Sequence, residues 1–199
     1  MKKSDKDRPY LFDRKVARLL DDMTARHRRV LPVRVDFTFP QDYQHDGGNT
    51  EIRRLHKRLA QHYRDRGTDL GYHTARQQAS SENPHYHSLI VIDGDHVQSP
   101  ESVQKCCNKL WKDIVNDDRD GLVDFCPHNS GQPLDRLHMI LRPSSKAVDA
   151  ELVAQEREFE AAKDLALLRA NYLNAPETLG RAPYRMREVF TSQVRRKKR

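Results

Sequence analysis

The segment NPHYHSLIVIDG, residues 83–94, is the stretch from which the rest of the chain can be interpreted. Two histidines open a run of aliphatic residues, and the run ends at an Asp-Gly pair typical of a turn. Side chains at positions i and i+2 of a strand point to the same face of a sheet, so His85 and His87 project together. Two imidazoles on one face can bind one divalent metal ion. This pattern therefore predicts a metal-assisted site on an apolar strand.

Two imidazoles are not a full ligand set, and the residues before the histidines offer two candidates for a third ligand. Gln77 lies on the preceding predicted strand, and Glu82 lies in the turn that leads into the histidines. The alternative is that His85 and His87 are incidental surface or core residues. An apolar strand gains nothing from two imidazoles at its start, which favours the interpretation as ligands.

Charge and composition describe a polar, basic chain of 199 residues. Its hydrophobic content is 36% and its charged content 33%, but the apolar residues fall into periodic segments, which indicates a folded chain. This length suits one domain with additional helices or a short tail. The formal net charge is +7, and residues 185–199 contain seven Lys or Arg and one Glu. That concentration favours a phosphate-bearing partner, although a solvated basic tail gives the same pattern.

The sequence predicts neither a membrane anchor nor a disulfide framework. No apolar run approaches the roughly 20 residues of a membrane span, and the charged N-terminus lacks the apolar stretch of a signal peptide, so the expected location is the cytoplasm. Cys106, Cys107 and Cys126 are too few and too irregular for a set of disulfides. Cys126 and His128 could contribute to a zinc site. Buried free thiols are favoured, because the chain has no Cys-x-x-Cys spacing.

Hydrophobic periodicity divides the chain into helices and strands. Helical spacing is found in residues 10–27, 50–66, 99–116 and 148–173, and strands are predicted within 33–39, 70–79, 85–92 and 122–126. These elements predict an α+β fold, with an antiparallel sheet of about four or five strands and helices packed mainly on one face. We divide the chain into an N-terminal helix extension (1–29), a central domain (30–192) and a basic tail (193–199).

Tyr172 is the candidate nucleophile. It follows Leu165 by seven residues and Leu168 by four, so the three side chains share one face of the predicted helix, the face expected to pack toward the sheet. A tyrosine that attacks a phosphodiester forms a covalent phosphotyrosine, which conserves the energy of the bond for rejoining. A bound metal would polarise the phosphoryl oxygen and position it for in-line attack. On spacing alone, a core tyrosine is the alternative.

Five segments, in order along residues 30–192, carry a family resemblance. They are RVDFTFP (34–40), HYHSLIV (85–91), Trp111 with GLVDFCP (121–127), YLNA (172–175) and REVFTS (187–192). Their order resembles that of the HUH endonucleases, which include rolling-circle replication initiators and relaxases. The segments are similar in particular to those of the inovirus-type replication proteins and their prophage relatives, the YagK/YfjJ C-terminal domain family.

The resemblance implies a palm-like, ferredoxin-like antiparallel sheet and a Mg²⁺ or Mn²⁺ ion held by His85 and His87, with Gln77 and Glu82 as further candidate ligands. It also implies that Tyr172 nicks single-stranded DNA at a replication origin and stays on the 5′ phosphate, for rolling-circle replication of a phage, a plasmid or an integrated element. Host replication proteins are further candidate partners. The basic residues expected to contact DNA are Arg34, Arg181, Arg185, Arg187, Arg195, Arg196, Lys197, Lys198 and Arg199.

Two positions depart from the family pattern and define the alternatives. Ala175 stands where the family commonly has a lysine three residues after the tyrosine, and Gln77 stands where it tends to have a glutamate. The second hypothesis is therefore a DNA-binding regulator without catalytic activity on the same scaffold. A third is an unrelated structural protein in which the two histidines are incidental.

Overall fold

Four helices and six strands make up the part of the chain that the computed structural model describes, which is residues 14–78, 81–125, 139–171, 183 and 186–193. In chain order the elements are α1 (Arg14–Arg26), β1 (Arg29–Phe37), α2 (Thr50–Arg64), β2 (Leu70–Gln77), β3 (His85–Asp93), α3 (Pro100–Val115), β4 (Val123–Asp124), β5 (Ile140–Leu141), α4 (Asp149–Asn171) and β6 (Val189–Thr191).

The strands form one antiparallel sheet with β3 at its centre. The order is β4-β1-β3-β2-β6, and β5 pairs with the start of β1. The pairing places Asp36 of β1 opposite His87 of β3, and Gln77 of β2 opposite His85. Residues that pair directly across an antiparallel ladder point to the same face, so these four side chains share one side of the sheet.

The two faces of the sheet carry separate cores, as the alternation of β1 and β3 requires. On one face, Val33, Phe37 and Ile90 pack with α2 and α3. On the other face, Leu89 and Val91 pack with α1 and α4. The expected α+β class and antiparallel sheet are confirmed. The helices, which we expected mainly on one face, are instead divided evenly between the two, because β3 is apolar on both sides and each side needs a cover.

The loop between β1 and α2 is held against the sheet by one buried arginine. Arg76 is 2% exposed and donates through one guanidinium nitrogen to the carbonyl oxygens of Gly47 and Gly48, each at 2.8 Å. Asn49, which precedes α2, donates through its side-chain amide to the carbonyl oxygen of Arg187 at 3.0 Å. The start of α2 and the segment before β6 are therefore neighbours.

Helix α1, which the sequence analysis placed in the N-terminal helix extension, packs on the sheet as a layer of the fold. Sequence periodicity predicts an apolar stripe of Phe12, Val16, Leu19, Leu20 and Met23, and the last four side chains are buried in the core that faces β3. Phe12 lies outside the described residues. Lys163 of α4 also reaches Asp21 of α1, with 2.6 Å between its Nζ and the carboxylate oxygen. The two helices are thus joined to each other as well as to the sheet.

Helix α4 packs through a face that overlaps only in part with the one that we predicted: Phe159 and Ala162 contact the core as expected, but Leu168 does not. The buried side chains include Ala166, Leu167 and Ala170, whereas Leu168 is 51% exposed and Leu165 only partly buried. The periodicity misled because α4 carries apolar residues on two sides and the sheet covers only one of them. Because Leu168 is exposed, its spacing from Tyr172 no longer predicts that the tyrosine lies on the buried side of the helix.

Two smaller expectations can be compared with the structure. Cys106 is half-buried, Cys107 is buried, and both are free thiols, as predicted, while Cys126 and His128 lie outside the described residues. Within the described ranges, no helix is long and apolar enough to cross a membrane.

The packing of α4 makes a prediction that two adjacent leucines can test. Leu167→Ala should lower the free energy of unfolding by about 2–5 kcal/mol, because it leaves a cavity under the helix. Leu168→Ala is the matched control and should cost less than about 1 kcal/mol, since this side chain is half exposed. Urea denaturation of both variants provides the comparison. Equal losses, or a larger loss for Leu168→Ala, would contradict this orientation of α4.

Candidate metal centre

His85 and His87 lie side by side at the start of the central strand. Both are partly buried, and their ring centres are 6.0 Å apart with the ring planes inclined by 76°. A metal ion bound to two imidazole nitrogens at about 2.1 Å would bring the ring centres to about 5 Å. The ring centres are therefore about 1 Å further apart than one shared ion would hold them.

Asp36 is a member of this site that the sequence analysis did not single out. Its carboxylate oxygen Oδ2 lies 2.7 Å from Nδ1 of His87, although it sits off the direction of the ring N–H. Contact at Nδ1 leaves Nε2 of His87 as the nitrogen that would bind a metal. A carboxylate that accepts the Nδ1 proton would orient the ring and make the imidazole a stronger ligand. The register of β1 against β3 was the missing information, because it places Asp36 opposite His87.

Arg34 lies on the same face as the histidines, two residues before Asp36. Its guanidinium is 3.2 Å from Oδ2 of Asp36, so the carboxylate oxygen that faces His87 is shared with an arginine. The sequence predicted Arg34 as a DNA contact. In the structure it holds Asp36 in place, and its side chain is still 21% exposed at the edge of the site. A phosphate close to the histidines would therefore meet one positive charge here.

Gln77 and Glu82 stand in different relations to the pair. Gln77 is buried and pairs directly with His85 across the strands, so its amide lies on the face that carries the histidines. Glu82 is exposed and lines a cleft of about 270 Å³ beside His85, together with Thr38, Phe39, Gln41, Ser81, Asn83 and Pro84. Strand pairing thus brings Gln77 next to the histidines. The loop before β3 brings Glu82 near them.

The cleft beside His85 has a fixed wall. The side-chain amide of Asn83 donates to the carbonyl oxygens of Pro40 and Tyr43, each at 3.2 Å. These two bonds tie the turn before β3 to the loop after β1. The cleft that opens at His85 is therefore bounded on both sides by backbone that the fold holds in place.

Burial keeps His85 in the form that binds metals. Desolvation lowers its pKa below the usual value, the neighbouring His87 lowers the pKa further, and the carboxylate of Asp36 opposes both effects. The imidazole is therefore neutral at neutral pH and offers a lone pair, which is the state that coordinates a divalent ion.

A second group of potential ligands lies elsewhere, in the loop after β1 and the first turn of α2. Among the described residues, His45, Asp46 and Glu51 are the one such set whose ligand atoms all lie within 4.8 Å of one another. The backbone N–H of Gly47 donates to Nδ1 of His45 at 2.9 Å, so the neutral ring carries its proton on Nε2. Nδ1 of His45 therefore already accepts a hydrogen bond, whereas the buried Nε2 lies 3.7 Å from the carboxylate of Glu51.

Several of the predicted site residues lie outside the described residues. They are Tyr172, Arg181, Arg185, Arg195, Arg196, Lys197, Lys198 and Arg199, and Ala175 is also among them. Arg187 is described, but it lies on the other face of the sheet, with its guanidinium 5.9 Å from the ring centre of Phe190. The structure thus brings together His85, His87, Gln77 and Arg34, and it separates Arg187 from them.

The contact between Asp36 and His87 predicts a selective effect on metal affinity. Asp36→Asn should weaken the binding of Mn²⁺ by about 10–100-fold, because the ring loses the charge that makes it a strong ligand. Asp124→Asn is the matched control. Asp124 of β4 pairs with Asp36 of β1, but its side chain is exposed. Isothermal titration calorimetry with Mn²⁺ measures both variants. If the two variants bind Mn²⁺ equally well, Asp36 has no such role.

Comparison with known proteins gives one match. No curated protein and no solved structure is significantly similar to the chain. The sequence profile of the YagK/YfjJ C-terminal domain matches residues 2–187, which is most of the chain and includes β1, β2 and β3 with the histidine pair. The chain therefore belongs to the YagK/YfjJ C-terminal domain family.

Proposed function

We propose that this protein is a metal-dependent, HUH-type enzyme that nicks single-stranded DNA at a replication origin and becomes linked to the 5′ phosphate through Tyr172. The observation that carries the proposal is the group formed by His85, His87 and Asp36 at the start of the central strand. The family resemblance of the segments around it supplies the reaction type and the rolling-circle setting, in a phage, a plasmid or an integrated element.

The residues at this site suit a divalent ion with mixed nitrogen and oxygen ligands. His85 and His87 would hold Mg²⁺ or Mn²⁺, with an amide oxygen from Gln77 next to them and Glu82 at the edge of the cleft. When bound, such an ion polarises a phosphoryl oxygen and neutralises charge at the reacting phosphate. Asp36 would fix the orientation of His87, and Arg34 would fix that of Asp36.

The covalent step is an exchange of one phosphate ester for another. The hydroxyl oxygen of Tyr172 attacks the phosphorus, and the bond between phosphorus and the 3′ oxygen breaks. The phenol loses its proton, the departing 3′ oxygen takes up a proton, and the products are a 5′-phosphotyrosine and a free 3′ hydroxyl. That hydroxyl can prime synthesis, and the retained phosphoester permits rejoining without another energy source.

A second candidate function is DNA binding without cleavage, and Gln77 favours it. An uncharged amide at the place of a carboxylate is a weaker ligand, and it stands directly opposite His85. Ala175 likewise removes a positive charge from the tyrosine segment. This alternative is a regulator that uses the same scaffold. It predicts salt-sensitive binding of DNA and no cleavage at any metal concentration.

The nicking proposal predicts a covalent adduct that depends on one tyrosine. With circular single-stranded DNA and Mn²⁺, the protein should form an adduct visible as a shifted band in denaturing gels. Tyr172→Phe should reduce adduct formation on the order of 10³-fold or more, because the nucleophilic oxygen is removed. Tyr72→Phe is the matched control, since Tyr72 is a half-buried tyrosine on the other face of the sheet.

The two functions separate clearly in this assay. Replacing both His85 and His87 by alanine should also abolish the adduct, because the metal ligands are lost. No adduct from the unaltered protein, or an equal yield from Tyr172→Phe, would rule out nicking through this residue and leave the DNA-binding regulator.

A further inference from the structure

The outer surface of α2 carries an unusual concentration of positive charge. The helix has five Arg or Lys residues and one Glu, whereas α4 on the opposite face has six acidic and three basic residues. Arg53, Arg54 and Lys57 are all exposed, and within the described part of the chain no acidic side chain forms an ion pair with them. The two helices therefore differ in the sign of their charge.

These three residues differ from the other cations of the same helix. Arg58 is paired with Asp113 of α3 at 2.9 Å, and Arg64 donates to the side chain of Gln61. Arg53 and Lys57 lie one helical turn apart on the exposed side, about 5–6 Å along the axis, and Arg54 is adjacent to both. They form a compact set of donors directed at solvent.

Arg187 extends this set from a neighbouring element. Its carbonyl oxygen accepts the hydrogen bond from Asn49 at the start of α2, and its exposed side chain lies near the ring of Phe190. Phe190 in turn packs against His56 of α2, with 5.9 Å between the ring centres. Arg187 is thus held beside the N-terminal half of the helix. We call Arg53, Arg54, Lys57 and Arg187 the α2 basic surface.

The α2 basic surface is separate from the candidate metal centre. Helix α2 packs on the even-numbered side chains of β3, among them Tyr86 and Ile90, whereas His85 and His87 point to the opposite face. The sheet lies between the two locations. A ligand on α2 would therefore not touch the residues that we assign to metal binding and cleavage.

We infer that the α2 basic surface binds the phosphodiester backbone of DNA without regard to sequence, as a contact additional to the cleavage site. Exposed, unpaired arginines and lysines at this spacing match phosphate groups and offer nothing that would recognise a base edge. The inference rests on the proposed function only in taking DNA as the ligand. The surface would hold DNA that extends beyond the nicked phosphate and so raise its concentration at the site.

Charge reversal tests the α2 basic surface. The variant Arg53→Glu/Arg54→Glu/Lys57→Glu is compared with the control Arg18→Glu/Lys146→Glu/Arg157→Glu, whose three exposed cations lie on α1, α4 and the loop before α4. Both variants change three charges by two units each and take the net charge from +7 to +1. Fluorescence anisotropy with a single-stranded and a duplex DNA of unrelated sequence is recorded from 50 to 300 mM salt.

The α2 variant should lose affinity by on the order of 10²-fold at 50 mM salt. Its plot of log affinity against log salt should be shallower by about 2 for single strands and up to about 3 for duplex. The control should change by less than about threefold. A milder variant, Arg53→Gln/Arg54→Gln/Lys57→Gln, removes the charges without reversing them and is less prone to misfold. It should also lose more affinity for DNA than the control variant. Equal effects of the α2 and control variants on DNA binding would overturn the inference.

Two further arms separate this inference from the proposed function and from other ligands. The α2 variant should lose affinity for DNA by the same factor with and without Mn²⁺, because the sheet separates α2 from the candidate metal centre. If the unaltered protein binds DNA through the α2 basic surface but does not nick it, the proposed function is wrong and this inference still holds. Vesicles of phosphatidylglycerol and phosphatidylcholine are the last arm. If the α2 variant loses vesicle binding but not DNA binding, the partner is a membrane surface and the inference is wrong.

Discussion

The register of β3 between β1 and β2 is the constraint on which the rest of the structure depends. It sets Asp36 beside His87 and Gln77 beside His85, and it turns all four side chains to one face. A shift of one residue in either pairing would turn every side chain of a strand to the other face. Because both faces of the sheet pack against helices, such a shift would misalign both cores and turn the polar group toward α2 and α3. The two cores therefore fix the site by fixing the register.

Along β3 the face that carries the histidines changes from partly exposed to fully buried. His85 and His87 are partly exposed, whereas Leu89 and Val91, on the same face, are covered by α1 and α4. Burial of the Asp36 carboxylate costs free energy that its contacts with Arg34 and His87 offset.

Much of the fold could be predicted from sequence, because period-2 and helical patterns are local. The alternation of residues 33–39 gave the faces of β1 correctly, and the histidine pair was placed on one face of a strand, as the structure confirms. Asp36 was missed because its importance comes from β1 pairing with β3, which local periodicity does not contain. The packing side of α4 was wrong because Leu167 and Leu168 are equally apolar, and only the sheet decides between them. The separation of Arg34 from Arg187 likewise depends on which face each strand presents.

The central claim is that His85 and His87 bind one divalent ion, and paramagnetic broadening by Mn²⁺ tests it most directly. The protein has ten histidines, and their ring signals can be assigned in isotope-labelled protein by single substitutions. Substoichiometric Mn²⁺ should broaden the ring signals of His85 and His87 first and together, because relaxation by the ion falls steeply with distance. His45, near the carboxylates of Asp46 and Glu51, should respond only at higher concentration. Broadening of His45 before the pair, or of His85 without His87, would contradict the assignment.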